Sequence, residues 1–115
     1  DDNIWENQTR YARWRQMTDL ALHDRVYLDM TALVDLFSTD EYPYPNAMRL
    51  VGELRERVGA KKMLWGSDIP GTYQRATYRQ MIDMFDLHGG FSDEEKEYLF
   101  KKNAQRLYFD NRAEI

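Results

Sequence analysis

Between residues 25 and 66 the hydrophobic period of the chain switches from two to about 3.6 and back again, and this switch limits the folds open to it. In "RVYLDMTAL", Val26, Leu28 and Met30 alternate with Tyr27 and Asp29, the pattern of a strand. In "NAMRLVGELRERVG", Ala47, Leu50, Val51, Leu54 and Val58 keep to one helical stripe. Arg49, Glu53, Arg55, Glu56 and Arg57 mostly fill the other faces. Gly59 is a natural helix stop. "KKMLW" is then a short apolar run of the buried-strand kind. Strand, helix and strand in that order predict a parallel pair joined by a right-handed crossover. The strands are expected near 25–31 and 62–66, with the crossover helix at 45–58.

The flanks read as helix. Trp5, Tyr11, Trp14, Met17, Leu20 and Ala21 recur at spacings of three and four, with Asp2 or Asn3 as the expected cap. "STDEYPYPN" has turn composition, with Pro43 and Pro45 as breakers. Tyr78, Met81, Ile82 and Phe85 mark another helix. "SDEE" is a capping box, Ser92 capping and Glu95 reaching back. That helix is expected to run through Leu99 and Phe100, with Asn103 capping a final turn that holds Leu107 and Tyr108. Two strands in 115 residues make a sheet with two open edges and little core. The physical expectation is therefore a portion of a larger α/β fold. The opening residue, Asp1 rather than Met, adds to the expectation of a segment cut from something longer.

Bulk properties exclude some partners. The net charge of −4 gives no basic footprint for nucleic acid. Arg10, Arg13 and Arg15, and Lys101 and Lys102, lie in helical segments beside acids and read as solvated faces. No apolar run is long enough for a membrane span and no signal peptide is visible. The chain has no cysteine, which rules out disulfides and thiolate metal sites. A cytoplasmic location is the working expectation.

"LWGSDIPG", residues 64–71, is the stretch with chemistry in it. Parallel strands of α/β folds carry function at their C-terminal ends, and Asp68 directly follows such a strand. Gly66 allows close backbone approach, and Pro70-Gly71 turn the chain away. Asp68 is then either an accurately placed functional carboxylate or an Asx-turn residue.

"VGAKKMLWGSDIPG", "TYRQMIDMF" and "FSDEEKEYLFKKNAQRLY" together resemble the C-terminal third of the amidohydrolase-related (amidohydrolase family 2) metal-dependent hydrolases. These are distorted (β/α)₈ barrels of the TIM type whose relatives include decarboxylases and lactonases. The ending Asn103, Ala104, Arg106, Leu107, Tyr108 is similar to the family's closing motif. "RVYLDMTAL" resembles the seventh strand and "RYARWRQMTDLAL" the helix before it. The resemblance implies that residues 1–115 are the C-terminal segment of one barrel domain, about strands seven and eight with their helices. It implies that Asp68 is a metal ligand and general base beside a zinc or manganese ion. Carboxylate oxygen suits either metal.

The family's histidine ligands have no counterpart here. His23 precedes the first strand and belongs at the opposite face; His88 lies in the "DLHGG" connection. A catalytic zinc usually has about three protein ligands, and a full barrel takes roughly 250 residues. The remaining ligands are thus expected from the rest of the barrel or another chain, and the segment alone is expected to be inactive. Thr31, Tyr73 and Arg75 are substrate-binding candidates: Thr31 at a strand end, Arg75 because guanidinium binds carboxylates well. Ordinary loop roles compete with these. Trp65 is expected to pack outward on a helix, and Asp29 is a weaker second candidate. Asn103 and Arg106 read as a cap and a tie for the tail. The resulting expectation is a segment of a metal-dependent hydrolase or non-oxidative decarboxylase acting on small carboxylate-bearing substrates. The rival is a non-catalytic α/β binding module, suggested by the high aromatic content, 14%.

Overall fold

A computed structural model describes residues 4–110. The elements run α1 (Gln8–Asp19), β1 (Leu28–Met30), α2 (Leu33–Leu36), α3 (Pro45–Arg57), β2 (Met63–Trp65) and α4 (Tyr78–His88). A last helical stretch joins α5 (Asp93–Glu97), a π-helical turn at Tyr98–Lys102 and α6 (Asn103–Tyr108). β1 and β2 pair in parallel, Leu28 opposite Met63, Asp29 opposite Leu64 and Met30 opposite Trp65. Strand positions, parallel pairing and the crossover helix agree with the period switch in the sequence.

Side chains of opposed residues share a face, and successive residues alternate. One face carries Leu28 and Met30 with Met63 and Trp65, and it packs on the helices. Met63 and Met30 are buried, and they join Leu50, Val51 and Leu54 of α3 and Met81, Met84 and Phe85 of α4 in one core. Trp65 packs outward as expected: its Nε1 donates to the Met81 carbonyl at 3.1 Å. Its ring meets Tyr78 edge-on and Phe100 at a tilt, both at 5.8 Å. The other face carries Asp29, Leu64 and Thr31.

The ends of the helices follow local chemistry. Thr77 with Gln80, and Ser92 with Glu95, form complete capping boxes, the second as the sequence predicted. α1 differs from its expected start. Asp2 and Asn3 lie outside the described residues, and the helix is capped by Asn7, whose side chain accepts from the Arg10 amide at 3.0 Å. Its expected apolar stripe is also only partly covered: Met17 is 58% and Leu20 53% exposed. α1 docks on α3 through polar and ring contacts instead. The Tyr11 hydroxyl donates to Glu53 at 2.8 Å, Arg57 pairs with Asp19 and donates to Thr18 Oγ1 at 2.6 Å, and Arg57 also lies over the Trp14 ring. A cavity of about 210 Å³ lies among α1, β1, α2 and α3, with Trp14, Met17, Leu28 and Leu36 in its lining.

Asn103 is not a cap. It has helical backbone angles and is buried. Its Nδ2 donates to the carbonyls of Ala60 at 2.7 Å and Met63 at 2.8 Å. The uninterrupted helical path through the π-turn removes any helix start at Asn103, so its amide is free to clamp the beginning of β2. Arg106 is a tie, donating to the Tyr27 hydroxyl at 2.9 Å. Asn103→Ala should therefore destabilise the fold strongly. Each buried carbonyl left unpaired costs about 1–3 kcal/mol, whereas Arg106→Ala, at an exposed contact, should cost less. Chemical denaturation of both variants against the parent chain is the check.

Candidate functional site

The C-terminal ends of the two strands lie side by side, and the residues that follow them form the site. After β1 come Thr31 and then Ala32, which has φ 59°. After β2 come Gly66, Ser67 and Asp68, the last with φ 55°. These are left-handed conformations that residues with a Cβ adopt rarely and that cluster at functional sites. A Cβ on Gly66 would sit 3.1 Å from both Asp29 Oδ1 and Thr31 Cβ. Any larger residue there would press on the side chains of Asp29 and Thr31, which lie across it.

Asp29 senses the charge of Asp68. The Asp29 carboxyl is held above the ordinary carboxylate range, first by partial removal from water and then by the negative charge of Asp68. Two carboxylates thus stand near the ends of adjacent strands, close enough for the charge of one to act on the other.

The Asp68 turn is built from within. Thr72 Oγ1 donates to the Ser67 carbonyl at 2.7 Å, and the Ile69 amide donates to Ser67 Oγ at 3.3 Å. The chain then enters a short 3₁₀ turn, Gly71–Gln74. Tyr73 projects from this turn and is exposed. Arg75 ends it, with Nε 3.4 Å from Asp35 Oδ1 in α2. The Arg75 carbonyl accepts from the hydroxyl of Tyr44, a buried residue with φ 60°. Arg75 therefore cross-links the loops that follow the two strands.

The two histidines lie elsewhere. His23 follows the 3₁₀ turn Leu20–Leu22, ahead of β1, and His88 ends α4 with its ring edge-on to Tyr42 at 6.1 Å. Among the described residues no three His, Cys, Asp or Glu side chains converge as a metal cluster. The donor set at the strand tips is hard oxygen, which suits a divalent ion. It amounts to one corner of a centre rather than a whole one.

Sequence reasoning overlooked Thr72, Asp35 and Tyr44. A threonine four residues after Asp68 has a local signal, since threonine hydroxyls bond nearby backbone in turns. Asp35 and Tyr44 have none, because their partners are distant in sequence.

The class is thus α/β, with a parallel sheet whose strand tips carry paired carboxylates. The family model described as amidohydrolase matches residues 3–109, and the chain belongs to the amidohydrolase family. No curated protein matches the chain, and no solved structure does. Among the described residues no helix is long and apolar enough to cross a membrane.

Asp29 supplies a pH test. A raised folded-state pKa means that its contribution to stability is complete below the unfolded carboxylate pKa. That contribution is lost as pH rises through the folded value. At neutral pH the ionised carboxylate therefore opposes folding. Asp29→Asn should raise the denaturation midpoint at pH 7 in the presence of chelator, and the gain should fade as pH falls into the acidic range.

Proposed function

We propose that this chain is the C-terminal part, about strands seven and eight with their helices, of a (β/α)₈ barrel enzyme. The observation that supports this most directly is Asp68, held in a left-handed turn at the tip of β2, with its charge acting on Asp29 of the neighbouring strand. One sheet face is packed on helices, as on the outside of a barrel. The face with Asp29, Leu64 and Thr31 then corresponds to the barrel interior, and the strand tips to the mouth where barrel enzymes hold their active sites.

The proposed activity is metal-dependent hydrolysis or non-oxidative decarboxylation of small carboxylate-bearing substrates. Zinc or manganese bound at the mouth would supply Lewis-acid activation of water. Asp68 would provide one oxygen ligand and accept the proton of the attacking water. Thr31 and Tyr73 would present hydroxyls to the substrate. Arg75, shared with Asp35 and part-exposed, would exchange that partner for a substrate carboxylate. The metal's histidine ligands would come from the rest of the barrel, so residues 1–115 alone would be inactive.

Asp68→Asn in the full-length protein should nearly abolish turnover while leaving the circular dichroism spectrum unchanged. The amide keeps the size but loses both the charge and the basicity, and general-base help alone is worth about 10²–10⁴-fold. His23→Asn and His88→Asn should change turnover and metal content little. Near-normal turnover in the Asp68 variant would return that residue to the role of a turn former; loss of metal in the His88 variant would move its loop to the mouth.

A further inference from the structure

We infer that Thr72 is a positioning residue for Asp68: its buried hydroxyl fixes the Ser67 carbonyl and so holds Asp68 in the left-handed conformation. This rests on the reading of Asp68 as the functional carboxylate. Three polar residues are buried in the described chain, Thr18, Thr72 and Asn103. Thr18 bonds back to the Trp14 carbonyl one turn earlier in its own helix, at 2.9 Å, and receives Arg57. Asn103 clamps the start of β2.

Thr72 does neither. Its hydroxyl reaches back five residues, across Asp68, to the carbonyl immediately before it. The bond is 2.7 Å long, while the other two ties in this turn are longer: Ile69 amide to Ser67 Oγ at 3.3 Å and Thr72 amide to Asp68 carbonyl at 3.4 Å. A left-handed aspartate persists only where its surroundings fix it. With no solvent access at Thr72, no water can replace the hydroxyl as donor. Valine has nearly the same shape, so filling the space does not by itself call for an oxygen. The hydroxyl is needed for the peptide that sets the direction of Asp68.

The consequence is a loss of metal affinity without loss of fold. Removing an outer hydrogen-bond partner that orients a ligand typically costs about 10–100-fold in affinity. The experiment is titration of the metal-depleted full-length protein with zinc against a competing chelator, repeated with cobalt(II) to read ligand geometry from visible absorption. Thr72→Val and Thr72→Ala should bind about 10–100-fold more weakly and show an altered cobalt spectrum, folded by circular dichroism but with a lowered thermal midpoint, since the Ser67 carbonyl loses its donor. Thr72→Ser should restore both affinity and spectrum, since it keeps the oxygen and loses only a methyl. Asp68→Asn is the reference.

If Asp68→Asn binds metal normally, the reading of Asp68 fails and takes this inference with it. If Asp68→Asn loses affinity while Thr72→Val and Thr72→Ala bind like the parent, Asp68 stands and the role of Thr72 is overturned. Equal losses in the valine and serine variants would make Thr72 a packing residue. Failure of both hydroxyl-free variants to fold would make the hydroxyl a requirement of the whole domain, which also overturns the inference.

Discussion

The parallel pairing of two three-residue strands, in one particular register, determines where every group at the strand tips stands. With Leu28 opposite Met63, Met30 and Met63 fall on the face that meets the helices, while Asp29 and Thr31 fall on the other. A slip of one residue would turn Asp29 into the methionine-rich core and Met30 out of it. Burial of the apolar face therefore specifies the register, and the register specifies the position of the carboxylates. Asn103 reinforces this from the other end, since its amide grips the backbone at both Ala60 and Met63. The closing helix thus fixes where β2 begins, and so where Gly66 and Asp68 emerge.

Above this rigid base the loops are tied to each other as well as to the core, which Val34, Phe37, Tyr44 and Ala76 join. Tyr44 reaches the Arg75 carbonyl and Arg75 reaches Asp35, so the segments after β1 and β2 constrain one another across the tips. The Arg75–Asp35 pair is part-exposed, and such pairs contribute little stability by themselves. The buried Tyr44 bond is the firmer of the two. α1 is attached by a similar strategy, through Tyr11 with Glu53 and Arg57 with Asp19 and Thr18. That leaves Met17 and Leu20 exposed beside the cavity.

Much of this was legible in the sequence where burial and period act together. Residues 25–66 announced a parallel β-α-β unit because one stripe or one alternation was enough to bury the apolar side chains. Ser92 and Glu95 announced a cap because both partners lie within one turn. The misread positions share a different cause. Asn103 sits where a short turn was expected, but the π-turn keeps the helix continuous and sends the amide to residues some forty positions away. Asn7 caps α1 because the chain before it already forms a separate 3₁₀ turn, Ile4–Glu6. Met17 and Leu20 keep helical spacing yet stay exposed, since spacing gives the face of a helix and not what lies against it. Asp68 was legible as a strand-tip carboxylate. The Thr72 bond beneath it had only the weak signal of a threonine within a turn, and nothing in the sequence told that this one would be buried.

The relation between Asp29 and Asp68 carries the physical logic of the site. In the protein without a cation, partial desolvation raises the cost of ionising Asp29, and the negative charge of Asp68 adds to it. Folding nevertheless brings them together, through a glycine that leaves room for Asp29 and a left-handed residue at Asp68. Neither feature improves packing, and both oppose stability. A divalent cation would reverse the electrostatic part of this cost: it attracts both charges, and desolvation strengthens that attraction. On the proposed reading, Asp29, which weakens the fold when ionised, would gain from a dication held beside it. On that reading the left-handed residues Ala32 and Asp68 favour the strand tips over the exposed aromatic surfaces as the place of function.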